Sequence, residues 1–378
     1  MDIELLRFVW WLLIGFILIG FAVLDGFDFG AAILSPFVAK TELQKRVVLN
    51  TIGPFWEGNQ VWLVLGAGGI FAAWPFVYSV AFSGFYLLIL ILLLTMGISR
   101  PVSFKYRSKV KNPIWRKSWD MLVFIGGLVP ALIFGILIGN ILLGIPFYFD
   151  DTMRSFYTGS FFDLFRPFTL LCGLTSLFMI IMHGGLYLAT KTDNPIRSRA
   201  IAWAQCSAIL FIIMFAACGY LLTKINGYVV TSGGDPFGVS NPLHKQVVMQ
   251  VGAWFNNYYR YPHSMAAPII GFAGACLAIL FARIGTSRFA FMASGLSIIG
   301  VIASIGISMF PFILPSSIQP RSSLLVWDSS STQLTLILML IVVLIFMPII
   351  LFYTAWVYNA LRGRVTEEMI KRDERTSY

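Results

Sequence analysis

The sequence predicts an all-α, polytopic membrane protein of about nine transmembrane helices, with its N-terminus periplasmic and its C-terminus cytoplasmic. Three observations carry this reading. Of the 378 residues, 58% are hydrophobic and only 12% are charged, and the mean hydropathy is +0.81; a soluble domain carries about 25% charged residues. The apolar residues gather into segments near the ~20 residues that a membrane helix needs. The cations gather into alternate connections between those segments. No soluble core could hide so much apolar surface, so the bilayer must be its solvent.

The apolar segments are 7–34, 53–73, 77–99, 119–145, 163–190, 199–223, 264–282, 289–310 and 333–361. The second is short, glycine-rich and polar at its start. The first and last exceed a single span, so they tilt or protrude. Two four-helix groups plus one peripheral helix fit the count. The whole chain, 1–378, reads as one integral membrane domain without linkers or strong repeats. The start, Met1-Asp2-Ile3-Glu4, has only Arg7 as a cation before the apolar run. It lacks a cationic n-region and a small-residue cleavage site, so this is a first membrane helix and not a cleaved signal.

Orientation follows from charge. One set of alternate connections holds Lys40, Lys45 and Arg46; Arg100, Lys105, Arg107, Lys109, Lys111, Arg116 and Lys117; Lys191, Arg197 and Arg199; and Arg283 and Arg288. The tail adds Arg362, Arg364, Lys371, Arg372 and Arg375. That is 20 of the 27 cations, and the positive-inside rule assigns this face to the cytoplasm. An eight-helix reading would break the alternation. The net charge of +10 is thereby an insertion signal, which argues against nucleic acid as a partner. On the other face lie two long connections, 224–262 with the turn signals Gly233-Gly234-Asp235-Pro236 and Asn241-Pro242, and 311–332, rich in Pro and Ser.

The sharpest chemical signal is acidic. Asp25 and Asp28 are three apart near the inner end of the first helix, so they share a face. Glu57 opens the second, in Trp56-Glu57-Gly58-Asn59-Gln60, and Asp120 opens the fourth on the same side. Carboxyls in membrane segments are costly and line a polar pathway or pair with cations. A set leading inward from the cytoplasm suits proton uptake. The competing reading has them capping helices or pairing with Lys45, Arg46 or Arg100. Asp120 fits the latter as a first-turn anion, Glu57 fits the pathway, and Asp25 and Asp28 fit both.

The remaining motifs exclude more than they assign. Of three histidines, His183 lies in the fifth helix before Gly184-Gly185, and His244 and His263 lie in or beside the long outer connection. No pair has the spacing of a two-histidine haem site, and no Cys/His cluster suggests zinc. A lone axial histidine, or a ligand among the 14 methionines, stays open, although His183 reads better as a satisfied interface residue. Cys172, Cys206, Cys218 and Cys276 read as small buried hydrophobes. Gly66-Ala67-Gly68-Gly69 lacks the Lys-Ser/Thr of a nucleotide loop and suits close helix packing.

Several stretches resemble subunit II of the cytochrome bd ubiquinol oxidases. They are Leu6-Arg7-Phe8-Val9-Trp10-Trp11, Asp25-Gly26-Phe27-Asp28-Phe29-Gly30, Trp56-Glu57-Gly58-Asn59-Gln60-Val61-Trp62, Phe71-Ala72-Ala73-Trp74-Pro75 and Ala81-Phe82-Ser83-Gly84-Phe85-Tyr86. Arg100-Pro101, Tyr106-Arg107-Ser108-Lys109, Met309-Phe310-Pro311-Phe312, Pro315-Ser316-Ser317, Trp327-Asp328 and Gln333-Leu334-Thr335-Leu336 add to these. The resemblance runs over essentially the whole chain and is most specific over 56–86.

It implies a bacterial inner-membrane complex that oxidises ubiquinol and reduces O2 to water, taking protons from the cytoplasm. A partner, subunit I, would hold two haems b and one haem d; a small accessory single-helix subunit and a structural quinone accompany some members. This chain would be the non-haem subunit, not catalytic alone. The resemblance associates Asp25, Asp28 and Glu57 with a proton route, and Trp62 with the vicinity of an oxygen path. Some relatives have Asp in place of Glu57, an acid in place of Lys105 and a histidine in place of Phe55, so a relay through the last two groups is not available here. A proton-coupled secondary transporter is the competing class. Its coupling acids would sit near mid-membrane, whereas these sit near one interface. A scaffold that carries no protons is the third reading.

Overall fold

A computed structural model describes residues 2–372; Met1 and Arg375, both named above, lie outside them. Helix α1 (Ile3–Val38) spans 36 residues, about 54 Å at 1.5 Å per residue, and so outruns the bilayer core. Helix α2 (Glu42–Ile52) is short and polar. The Thr41 side chain caps it by accepting from Gln44 N. Helix α3 (Trp56–Ala73) then crosses back beside α1.

The stretch that reads as a third straight span is broken. After Ala73 the chain bends by 120° into α4 (Pro75–Gly84). Pro75 lacks an N–H and holds Trp74 out of the helical region, at φ −134° and ψ 76°. Trp74 Nε1 donates to the Val326 carbonyl at this corner. The third span is α5 (Tyr86–Tyr106), about seven residues further along than 77–99. Over Leu93–Ser99 it widens into π-helical turns, each of which inserts a residue and rotates the remainder of the helix. Arg100, a loop cation by sequence, is therefore inside this helix and buried.

The later spans are α6 (Pro113–Leu143), α7 (Pro167–Lys191), α8 (Ile196–Leu222), α9 (Ala266–Ile284), α10 (Ser287–Met309) and α11 (Gln333–Ala360). Helix α12 (Glu367–Arg372) closes the described chain. Helices α1, α3, α5 and α6 form one group and α7–α10 a second, joined where α7 packs on α1 and α6. Helix α11 lies outside both against α1 and α3, and almost none of its surface is buried within the chain.

The seam between α1 and α7 depends on two glycines. A Cβ on Gly30 would stand 2.2 Å from the Ile180 carbonyl oxygen, and one on Gly184 would stand 2.4 Å from the Gly30 backbone. Backbone cannot yield as a side chain end can. Gly184→Ala is expected to destabilise the subunit by about 1–3 kcal/mol through overpacking. Its melting temperature in the intact complex should fall, and an unchanged value would refute the tight crossing.

Short hairpins cap the helix ends away from the cation-rich face. Strand β1 (Phe147–Phe149) pairs with β2 (Ser155–Tyr157), β3 (Asn226–Gly233) with β4 (Lys245–Val251), and β5 (Phe312–Leu314) with β6 (Leu324–Leu325), all antiparallel. Gly233 and Gly234 take φ +76° and +69° at the end of β3, where a left-handed backbone favours glycine. Buried Arg7 ties this cap to α1 by donating to the carbonyls of Pro236 and Gly238 and to the hydroxyls of Ser240 and Ser330.

On the opposite face Asp120 lies in the third turn of α6, not the first. It is held by Lys45 at 2.8 Å and by Arg107, which also takes Glu42 in a two-point grip at 2.8 and 3.0 Å. Cys172 and Cys218 are buried as expected, with their sulfurs 3.9 Å apart. Cys206 and Cys276 instead face outward on α8 and α9.

Candidate proton site

The acids of the DGFD stretch reach the interior because α1 passes between α3, α6 and α7. Asp25 and Asp28 are both fully buried. The Arg100 guanidinium, delivered by the wide turn in α5, donates from Nη2 to both Asp25 oxygens at 2.9 and 3.2 Å. Its carbon lies 4.5 Å from the Phe29 ring centroid, a cation–π contact that further offsets desolvation. A carboxylate and a guanidinium can both be charged in such a place only as a pair.

Among the described residues, no cation is in direct contact with Asp28. Its Oδ2 accepts from Asn59 Nδ2 at 2.8 Å. The same nitrogen donates to the Leu24 carbonyl at 3.1 Å, and Asn59 Oδ1 accepts from the Tyr358 hydroxyl at 2.8 Å. Among the described residues Asp28 Oδ1 is buried without a partner, as are Arg100 Nε and Nη1 and Trp56 Nε1. An unpartnered buried polar group costs about 1–3 kcal/mol, and most buried polar groups have partners.

Glu57 stands apart from this cluster. It begins α3 on the outward side, mostly exposed, and faces Lys105 at 3.4 Å. Asn59, two residues on, turns inward instead, because successive helical residues are separated by 100°. Glu57 is thus at the surface beside the buried acids without touching them. Trp62 is buried one turn further along α3. It lies so close to Gly20 that a Cβ there would be 2.4 Å from the indole, with Phe16 edge-on at 5.9 Å.

His183 bridges three helices. Its Nε2 meets the Val23 carbonyl at 2.9 Å and its Nδ1 meets Ser294 Oγ at 2.7 Å, while the ring stacks on Phe291 at 4.6 Å. Both nitrogens are engaged, so the geometry does not suit an axial metal ligand. Sequence alone points to Asp25, Asp28 and Glu57. It does not point to Asn59 as the partner of Asp28, nor to Tyr358 as the partner of Asn59. Asn59 is visible in the polar run after Glu57, but Tyr358 lies 299 positions away in a helix whose sequence gives no polar pattern.

Comparisons with known proteins agree in direction. Residues 6–361 match the family model described as cytochrome bd terminal oxidase subunit II. The chain is 45% identical over all of its length, and all of the relative's, to cytochrome bd-I ubiquinol oxidase subunit 2 of Escherichia coli strain K12. It is 30% identical to cytochrome bd ubiquinol oxidase subunit 2 of Bacillus subtilis strain 168, covering 95% of this chain and 97% of the relative. The fold matches a chain in the structure of bd oxidase from Geobacillus thermodenitrificans. There the TM-score is 0.66 and the identity 16%, over 96% of this chain and 98% of that one.

Proposed function

The chain belongs to the cytochrome bd terminal oxidase subunit II family and is a subunit of a terminal quinol oxidase in the bacterial inner membrane; on that premise we propose that it supplies the complex with protons through Glu57, Asp28 and Asp25. The complex is a haem enzyme. The haems, two b and one d as the resemblance implies, are assigned to subunit I; His183, engaged by Val23 and Ser294, is not free to serve as an axial ligand here. Ubiquinol and O2 are the substrates of the assembly, and a small single-helix subunit completes it. Proton uptake from the cytoplasm into chemistry inside the membrane makes turnover electrogenic.

The observation that supports the route most is Asp28. A fully buried carboxyl with one hydrogen-bonded and one unpartnered oxygen is a poor structural element and a good proton acceptor. Glu57, exposed on the cation-rich face, is placed to collect protons from water. That face is cytoplasmic by the positive-inside rule, since Lys45, Arg107, Lys191 and Arg364 lie on it together. Buried Trp62, among apolar neighbours, suits a path for O2 and not for protons.

In the assembled oxidase, Asp28→Asn is expected to lower oxygen consumption by about a hundredfold, and Glu57→Gln by about tenfold, if proton transfer by a placed carboxyl is what they provide. Near-normal turnover in both variants would make the subunit a scaffold for its partner.

A further inference from the structure

Asp28 is held by a connection that reaches it from the peripheral helix α11. Tyr358 donates to Asn59 Oδ1, which fixes which end of the amide is oxygen. Asn59 Nδ2 must then present its two hydrogens to acceptors, and it finds Asp28 Oδ2 and the Leu24 carbonyl. An amide has no ready proton to lose or gain, so the bond to Oδ2 is a fixed support and not a step in a relay. Tyr358 is itself placed by stacking on Phe55, with centroids 4.7 Å apart, and by an edge contact to Phe27 at 6.2 Å.

We propose that Asn59 and Tyr358 are positioning residues, which occupy one oxygen of Asp28 so that the other, Oδ1, is the oxygen that carries the proton. This rests on the proton-route reading above. The step is a proton transfer alone: a proton from water at the inner face forms an O–H bond at Oδ1, and later leaves that oxygen for a water on the partner's side. No electrons move in this chain. Helix α11, otherwise barely buried in the chain, gains through one hydroxyl a part in the acid's geometry.

The test uses the intact complex with its haem content checked. The Asp28 carboxyl band is first identified in redox-induced infrared difference spectra by its loss in Asp28→Asn. Tyr358→Phe keeps the ring and removes the hydroxyl. It is expected to shift that band and to lower turnover roughly threefold to tenfold, the worth of one hydrogen bond in a polar network. Asn59→Leu should do at least as much, and adding Tyr358→Phe to it should change nothing further, because the tyrosine acts through the amide. A severe Asp28→Asn defect beside an unmoved band and unchanged turnover in Tyr358→Phe overturns the positioning role alone. Near-normal turnover in Asp28→Asn overturns the proton route itself, and this inference with it. If Asn59→Leu does not assemble, Tyr358→Phe decides.

Discussion

Asp25→Asn is expected to be the more damaging half of an unequal pair, with Arg100→Met the milder. Both side chains of this ion pair are completely buried, and breaking a buried pair by removing one partner costs about 3–5 kcal/mol. The two losses differ in what remains. Without the Asp25 carboxylate, the guanidinium cannot shed its proton, so a full cation stays inside with the Phe29 ring, a neutral amide oxygen and the more distant Asp28 against it. Without Arg100, the carboxyl can escape its charge by taking up a proton. Asp25→Asn should therefore lose haem-loaded complex and melting temperature beyond Arg100→Met. The double variant Asp25→Leu with Arg100→Met should recover much of the stability, because no charge is left unpaired. If Asp25 also carries protons, that double variant will be stable and slow. Equal melting temperatures in the two single variants would mean that water reaches Arg100 and the pair is not dry.

These residues also mark how far a sequence reaches. Hydropathy exposes nearly every span, because a bilayer demands long apolar runs and nothing else satisfies them. The acids are visible for the same reason, as charges in the wrong solvent. Local backbone detail is not visible. The proline corner at Trp74-Pro75 looks apolar on both sides and turns α4 by 120° from α3, so 77–99 reads as one span although it joins most of α4 to the first part of α5. The wide turns over Leu93–Ser99 carry no composition signal at all, yet they turn Arg100 from a loop cation into the buried partner of Asp25. Asp120 reads as a first-turn anion because the amphipathic start of α6, from Pro113, is too polar to resemble a span. Pairings across long separations, such as Tyr358 with Asn59 and Arg7 with Ser330, depend on how helices pack. One chain read alone does not hold that information.

The hairpin cap offers the second large effect. Lys245 on β4 and Asp328 beyond β6 meet at 2.6 Å, with the lysine side chain wholly buried and the carboxyl nearly so. Asp328 also accepts from Leu325 N, and Lys245 donates to the Pro242 carbonyl. Burial raises the Asp328 carboxyl above its ordinary range, opposed by Lys245; burial likewise lowers the Lys245 ammonium, opposed by Asp328. Each charge is tolerated because the other is there. Lys245→Met is thus expected to cost about 3–5 kcal/mol near neutral pH and to loosen the hairpin that Arg7 ties to α1. The pH dependence has a definite sign. Without the lysine, the upward push of burial on Asp328, the largest influence, is opposed only by backbone hydrogen bonds such as that from Leu325 N, so the folded state holds a proton that the unfolded state, with an ordinary value of about 3.9, releases. A raised carboxyl contributes most at low pH and loses that contribution as pH rises toward its folded value. The gap in melting temperature between Lys245→Met and the parent should therefore be smaller at about pH 5 than at about pH 8. Lys245→Met with Asp328→Leu should close most of the gap at both. A gap that widens on acidification would show that the carboxyl stays charged and paired elsewhere, and that the cap is not built on this contact.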